Sequence, residues 1–157
     1  MIRPVEGQKP PPPFPEGEER DAFAEQTLND AKDWLDEAES LSPDRHGRSI
    51  AHACYYGLFW LARSIIVQQE GTYPWRHDST EDRLKNIVAA ADDHDLTEAY
   101  ELYLDAAAER AICDYDSSYR PTAERAKEVV EGARRAFDII AGKFDINYNG
   151  GASVGPP

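Results

Sequence analysis

Residues 50 to 67 read I-A-H-A-C-Y-Y-G-L-F-W-L-A-R-S-I-I-V, a run of 18 positions that is apolar around nearly its whole circumference. The run holds no proline and one interior glycine, Gly57, and it is far longer than a buried strand, so the pattern predicts a helix. An element without a polar face has to sit in the centre of the fold. Strong polarity is confined to His52, Arg63 and the hydroxyls of Tyr55 and Tyr56. With Arg45, His46 and Arg48 just ahead of it, the run falls short of the roughly 20 clean residues of a membrane span. We read it as a soluble-protein core helix and expect no membrane partner.

The neighbouring patterns supply what covers it. Between Asp21 and Leu41 the apolar positions Ala24, Leu28, Ala31, Leu35 and Ala38 alternate spacings of four and three, one stripe of an amphipathic helix. Ser42-Pro43-Asp44 breaks that helix, and Gly71 stops the central one. An aromatic loop, Tyr73-Pro74-Trp75-Arg76-His77, leads to Ser79 and Asp82, whose spacing resembles a capping box opening a short helix. Asp92-Asp93-His94-Asp95 reads as a solvated turn with Asp95 as N-cap rather than a cation site, since contiguous ligands rarely converge. A fourth helix spans Leu96 to about Tyr115, and a fifth runs from Pro121 to Ala141, stopping at Gly142. Together these predict an all-α fold: an antiparallel four-helix up-and-down bundle with an extra short helix and extended tails. The expected organisation is a Pro-rich arm over 1–18, a helical bundle over 19–142 and a C-terminal tail over 143–157. Pro10 to Pro13 and Pro15 make the arm a stiff polyproline spacer, or a ligand for an aromatic groove with Phe14 as anchor.

With 157 residues and 41% hydrophobic content, one domain can bury a sufficient core. The net charge of −13 argues against a surface that neutralises nucleic-acid phosphates broadly, although a local basic groove is compatible with it. The acidic excess gathers near the N-terminus: residues 16 to 40 hold ten acids against Arg20 and Lys32. Cys54 and Cys113 lie in apolar helical runs, where cysteine is a small buried hydrophobe, and reduced thiols fit a cytoplasmic setting. The first residues lack the apolar stretch of a secretory signal.

No nucleotide-binding glycine motif, no C-x-x-C, no H-E-x-x-H and no repeated E-x-x-H occurs, so no cofactor or metal is expected. The most informative polar cluster is Arg110-Ala-Ile-Cys-Asp114-Tyr115-Asp116. Arg110 and Asp114 are helical i, i+4 neighbours, which reads as an ion pair. The planar fork of Arg110 equally suits an oxyanion or phosphodiester, and spacing alone leaves both readings open. His77, at a helix entrance, can hold an anion or act as an acid or base, or simply pack on Trp75. Tyr55 and Tyr56 read as core aromatics whose hydroxyls reach a polar partner such as Arg110.

The order of these residues resembles the HEPN domain. R-x-I-A-H-A-C-Y-Y-G-L-F-W-L-A-R, then a histidine with Asp-Ser, then R-A-I-C-D-Y-D is similar to small stand-alone bacterial and archaeal members carrying A-Y-Y-A-x-F-x-x-A-R, T-H-S and R-x-x-A-D-Y. The likeness covers about Asp21 to Gly142. It implies a dimerising four-helix bundle, often paired with a minimal nucleotidyltransferase as toxin and antitoxin. Many members are metal-independent ribonucleases using Arg, four to six residues, then His, assembled across the dimer. Arg110 matches that arginine, but the position five residues later is Tyr115 and no histidine follows. A phenol with a pKa near 10 is a poor base at neutral pH. The resemblance therefore implies one of two functions. One is a non-catalytic homodimeric module binding a partner protein, nucleotide or RNA through Arg110, Asp114 and Tyr115, with Tyr55, Tyr56 and Arg63 contributing. The other is a ribonuclease in which Arg110 stabilises the phosphorane and His77 or Tyr115 moves the proton. The lost histidine and a pI near 4.6 favour the first. Related toxins are silenced by nucleotidyl transfer onto a tyrosine near this motif, which points to Tyr115 or Tyr119. Tyr100, Tyr103, Trp60 and Trp75 together are expected to exceed what one small bundle can bury, which favours a dimer.

Overall fold

The structure, a computed structural model, describes residues 17–72 and 77–144; the side chains of His77 and Asp78 lie outside that description, as do the Pro-rich arm through residue 16 and the chain from 145 onward. It contains α1 (Glu18–Ser40), α2 (Gly47–Glu70), α3 (His77–Ala91), α4 (His94–Tyr115) and α5 (Ala123–Phe144), with no strand among the described residues. The apolar run is indeed the centre. α2 packs against all four other helices, whereas α1 and α4 do not meet. Ile50, Cys54, Leu61, Ala62, Ile65, Ile66 and Val67 on α2 have no exposed surface. By length and composition α2 passes for a membrane span, and 78% of its apolar window is buried inside the bundle.

Side-chain links fix the directions. Ser64 near the end of α2 donates to the Ala24 carbonyl near the start of α1 (2.6 Å), so these two run antiparallel. Arg48 at the start of α2 donates to the Cys113 carbonyl at the end of α4 (2.6 Å), which makes that pair antiparallel too. Gln68 at the end of α2 reaches the carbonyl of Phe144 at the end of α5 (3.2 Å), so α2 and α5 are parallel. The result is an up-and-down bundle of α1, α2, α4 and α5 whose short diagonal is α2 to α5, with α3 laid on α2 and α4.

Local boundaries differ from expectation where a side chain supplies a cap. Asp93, not Asp95, is the N-cap of α4, its Oδ1 accepting from the N–H groups of Asp95 and Leu96. Thr122 caps α5 by accepting from Arg125 N (3.0 Å), which places Pro121 outside the helix. α5 continues through Gly142, since Phe144 packs against the core and Lys143 pairs with Asp93. α3 starts at His77, two residues before the Ser79 capping box. Gly71 does end α2, in the left-handed conformation at φ 69°.

Gly57 is where α1 comes closest. A Cβ there would lie 2.7 Å from Leu35 Cδ2 and 3.3 Å from the Ala31 carbonyl oxygen. Leu35 is itself buried, so it has nowhere to retreat. Gly57→Val is expected to cost about 1–3 kcal/mol despite removing a helix-destabilising glycine. Urea unfolding checks this, and Leu35→Ala should recover part of the loss by opening space opposite.

Candidate functional site

The start of α2 and the end of α4 meet at one end of the bundle. A helix C-terminus leaves carbonyls unsatisfied and carries partial negative charge. Here one guanidinium meets them: Arg48 donates from Nη2 to Cys113 O and from Nη1 to the carbonyls of Tyr119 (2.9 Å), Asp116 (3.1 Å) and Ser117 (3.4 Å). Arg120 donates to the Ser117 and Tyr119 carbonyls as well. The turn after α4 is thereby tied to the first turn of α2. Asp116 completes it, its Oδ1 accepting from the Ser118 N–H and hydroxyl, and these bonds hold the carboxyl below its usual range.

One helical turn beyond Arg48, His52 projects toward α4. Its Nε2 lies 2.8 Å from Asp114 Oδ1, while the Nε of Arg110 lies 2.8 Å from Asp114 Oδ2. The arginine contact is an ion pair without the alignment of a hydrogen bond. A single carboxylate thus spans a histidine and an arginine. The three side chains remain reachable, at 37%, 38% and 27% exposure for His52, Asp114 and Arg110. With Nε2 turned to Asp114, the other ring nitrogen, Nδ1, is the one left to accept or deliver a proton.

The aromatic pair forms the floor. The Arg110 guanidinium carbon lies 4.8 Å from the Tyr55 ring centre and 5.8 Å from that of Tyr56, so the arginine meets both rings. Burial raises the Tyr55 phenol pKa. Arg63 stands further along: its guanidinium sits 4.0 Å over Phe59, which stacks at 6.0 Å on Tyr55. Arg63 is therefore joined to the Arg110 cluster through two rings and is not part of it.

Tyr115 is placed otherwise. Five residues on a helix turn about 140° from Arg110, and the Tyr115 residue is 96% exposed. Tyr119 instead donates its hydroxyl to Glu109 Oε1 (2.7 Å), a bond that pushes its pKa up, and the Glu109 residue is only 4% exposed. Arg125 holds the other Glu109 oxygen (3.1 Å). The His77 side chain and Trp75 lie outside the described residues. Tyr103 is buried at 1% exposure, and Tyr100 and Trp60 are half-buried against the core. Among the described residues the exposed large apolar side chains are Leu104, Ile112 and Tyr115, all on α4. Among the described residues no group of three or more His, Cys, Asp or Glu converges as a metal site would require.

Sequence reasoning passed over His52 and Arg48. The available signal was spacing: His52 stands three and four residues before Tyr55 and Tyr56, on the same helical face, and is a rare polar position in the apolar run.

An all-α bundle with an Arg–carboxylate pair on its fourth helix, facing a paired tyrosine on its second, defines a recognisable class of small helical domains. The HEPN domain model matches residues 24–143, three-quarters of the chain, and the protein belongs to the HEPN family. No curated protein and no solved structure matches the chain significantly.

Because one guanidinium closes four carbonyls, Arg48→Ala is expected to lower stability by about 3 kcal/mol, read from the urea midpoint. Arg48→Lys should restore only part, since an ammonium cannot reproduce the fork.

Proposed function

We propose that the protein is a homodimeric HEPN module that binds a phosphate-bearing ligand, RNA or a nucleotide, at the Arg110–Asp114–His52 cluster. The observation that carries this reading is the shared carboxylate: Asp114 fixes Arg110 and His52 side by side at a partly exposed position. A guanidinium and an imidazole held side by side in this way suit a phosphate oxygen. Arg48 and Arg120 add further positive charge at the same end, beside the carboxylates of Asp114 and Asp116. Tyr56, half-buried beside Arg110, offers a ring face for a base. For the dimer, α4 presents Leu104, Ala108, Ala111 and Ile112, all exposed and spaced as one stripe. Association through that stripe would bring two Arg110 clusters near one another. A minimal nucleotidyltransferase in a toxin–antitoxin or defence pair is the protein partner the family suggests.

A second reading, metal-independent RNA cleavage, is favoured by one specific feature. The histidine absent after Arg110 in the chain has a counterpart in space, because α2 delivers His52 to the carboxylate that Arg110 uses. In that role His52 replaces His77 and Tyr115 as the proton-transfer group, and Arg110 stabilises charge on the phosphorane.

Fluorescence anisotropy with a labelled RNA pool, alongside cleavage assays without added metal, separates the two. Wild type is expected to bind, and Arg110→Ala to weaken binding by about 10- to 100-fold. If the protein also cleaves, His52→Ala should slow cleavage by about 10²- to 10⁴-fold while leaving binding within a few fold. An unchanged affinity in folded Arg110→Ala would overturn the binding site itself.

If a nucleotidyltransferase modifies the chain, Tyr115 is the expected acceptor. Its side chain stands in solvent, whereas the Tyr119 hydroxyl is committed to Glu109. Mass spectrometry after incubation with such an enzyme and ATP should place the adduct on Tyr115 and lose it in Tyr115→Phe; an adduct retained on Tyr119 would contradict this assignment.

A further inference from the structure

Between the outer surfaces of α1 and α2 lies a groove of about 340 Å³, lined by Trp34 and Trp60 with Asp30, Asp33 and Glu37. That volume stands at the small end of ligand sites, which run from about 300 to 1,000 Å³. Trp34 packs on Tyr56 at 5.5 Å and Trp60 meets Phe59 edge-on at 6.1 Å, so both indoles are held in place while half-exposed. The Arg63 guanidinium sits 5.0 Å from the Trp60 ring centre but is not part of the lining, so the surface of Trp60 that borders the groove is not the one Arg63 covers.

The carboxylates stand in a row. Asp30, Asp33 and Glu37 are spaced three and four residues apart on the face of α1 that carries Trp34, and helical neighbours of this kind have their Cβ atoms about 5–6 Å apart. Among the described residues, Asp33 and Glu37 have no ion pair or hydrogen-bond donor at their carboxylates, and Asp30 accepts only from Gln26 (3.3 Å). The adjoining acids of α1 differ: Asp36 pairs with Lys32 and Arg134, and Glu39 pairs with Arg134. Like charges at these spacings repel, and the groove holds three of them uncompensated. Nor do they gather on a point, since among the described residues no three acidic, histidine or cysteine side chains are grouped as a metal ion needs. A row of this kind matches a row of positive charges, and the indoles beside it match the methylenes between those charges.

We propose that the Trp34–Trp60 groove binds a linear aliphatic triamine, its ammonium groups on Asp30, Asp33 and Glu37 and its methylene chain along the two indoles. Aliphatic amines, with a pKa of about 10, carry full charge at neutral pH. With bonds of about 1.5 Å, nitrogens separated by three and by four methylenes lie about 5 and 6 Å apart, the spacing of the carboxylates. The middle charge then falls on Asp33, with the three-carbon spacer toward Asp30 and the four-carbon spacer toward Glu37. Trp34 also backs Tyr56, whose ring meets Arg110, so the groove adjoins the phosphate-binding cluster without sharing a residue with it.

The test follows the indole N–H signals of Trp34 and Trp60 in the ¹⁵N-labelled full chain during titration with spermidine, a triamine with three- and four-carbon spacers, at physiological salt. Both signals are expected to shift saturably. An eight-carbon terminal diamine, which has the same length but lacks the middle nitrogen, should bind about 10-fold more weakly. Asp33→Asn, at an exposed position, should remove that preference by weakening the triamine alone. Glu131→Gln on α5, exposed and outside the groove, should leave both affinities within about twofold. Signals that do not move, equal shifts from magnesium chloride at matched ionic strength, or a preference for the triamine that survives in Asp33→Asn would overturn the proposal. So would an equal loss in Glu131→Gln, because binding would then reflect only the overall negative charge.

Discussion

Burying α2 on every side is the constraint from which the other contacts follow. Six of its apolar side chains, among them Ile50, Leu61 and Ile65, are fully withdrawn from water, each contributing on the order of 1.5–3 kcal/mol. A helix so enclosed cannot leave a polar group unmatched in its middle. Ser64 is buried and spends its hydroxyl on the Ala24 carbonyl, and Gly57 replaces a side chain with the approach of α1. Strong polarity lies in Arg48, His52 and Arg63 and in the last turn, Gln68, Gln69 and Glu70. At the N-terminal rim it meets the end of α4, where unsatisfied carbonyls and the helix dipole present negative charge. The same geometry therefore satisfies the backbone of α4 and gathers Arg48, Arg120, His52 and Arg110 in one place.

That gathering is notable in a chain of net charge −13, and its origin is a division of labour among the basic residues. Four cations of α5 are paired along its length: Arg125 with Asp105 and Glu109, Arg134 with Asp36 and Glu39, Arg135 with Glu98, Lys143 with Asp93. Each exposed pair adds little stability alone. In sequence they fix how far α5 slides against α1 and α4. Hydrogen bonding to Lys32 and Arg134 outweighs burial at Asp36 and lowers its pKa, so that pairing is present above the ordinary carboxylate range and weakens as pH falls through the lowered value.

The bundle was legible in the sequence because period and burial are local signals. The stripe Ala24, Leu28, Ala31, Leu35, Ala38 is buried as its spacing requires, and the Gly71 stop is where glycine permits φ above zero. Boundaries set by competition between capping side chains were not legible. Asp93 and Asp95 are equally good N-caps by type, and only the path of the chain, with Asp92 in the left-handed region at φ 47°, decides for Asp93. Gly142 looked like a stop because glycine often is one, but contacts of Lys143 and Phe144 with distant helices carry α5 past it. The Arg110–Asp114 pair follows from i, i+4 spacing. Its connection to His52 crosses 62 positions of chain and depends on the antiparallel register of α2 and α4, which no local pattern encodes.

The comparison of His52 with Tyr115 shows why a motif read along one helix can mislead about the site it builds. A residue five positions after Arg110 on an unbroken helix points about 140° away, and the exposure of Tyr115 is the direct outcome. A group meant to act beside the Arg110 side chain must come from a residue three or four positions off, or from another helix. Asp114 takes the first route and His52 the second, and both meet at 2.8 Å. The ring thereby gains what a solvent-facing phenol lacks: a carboxylate that fixes its orientation and engages only one of its two nitrogens. Register between α2 and α4 is then a property of the site as much as of the fold, and Arg48, which fastens the start of one helix to the end of the other, sets it.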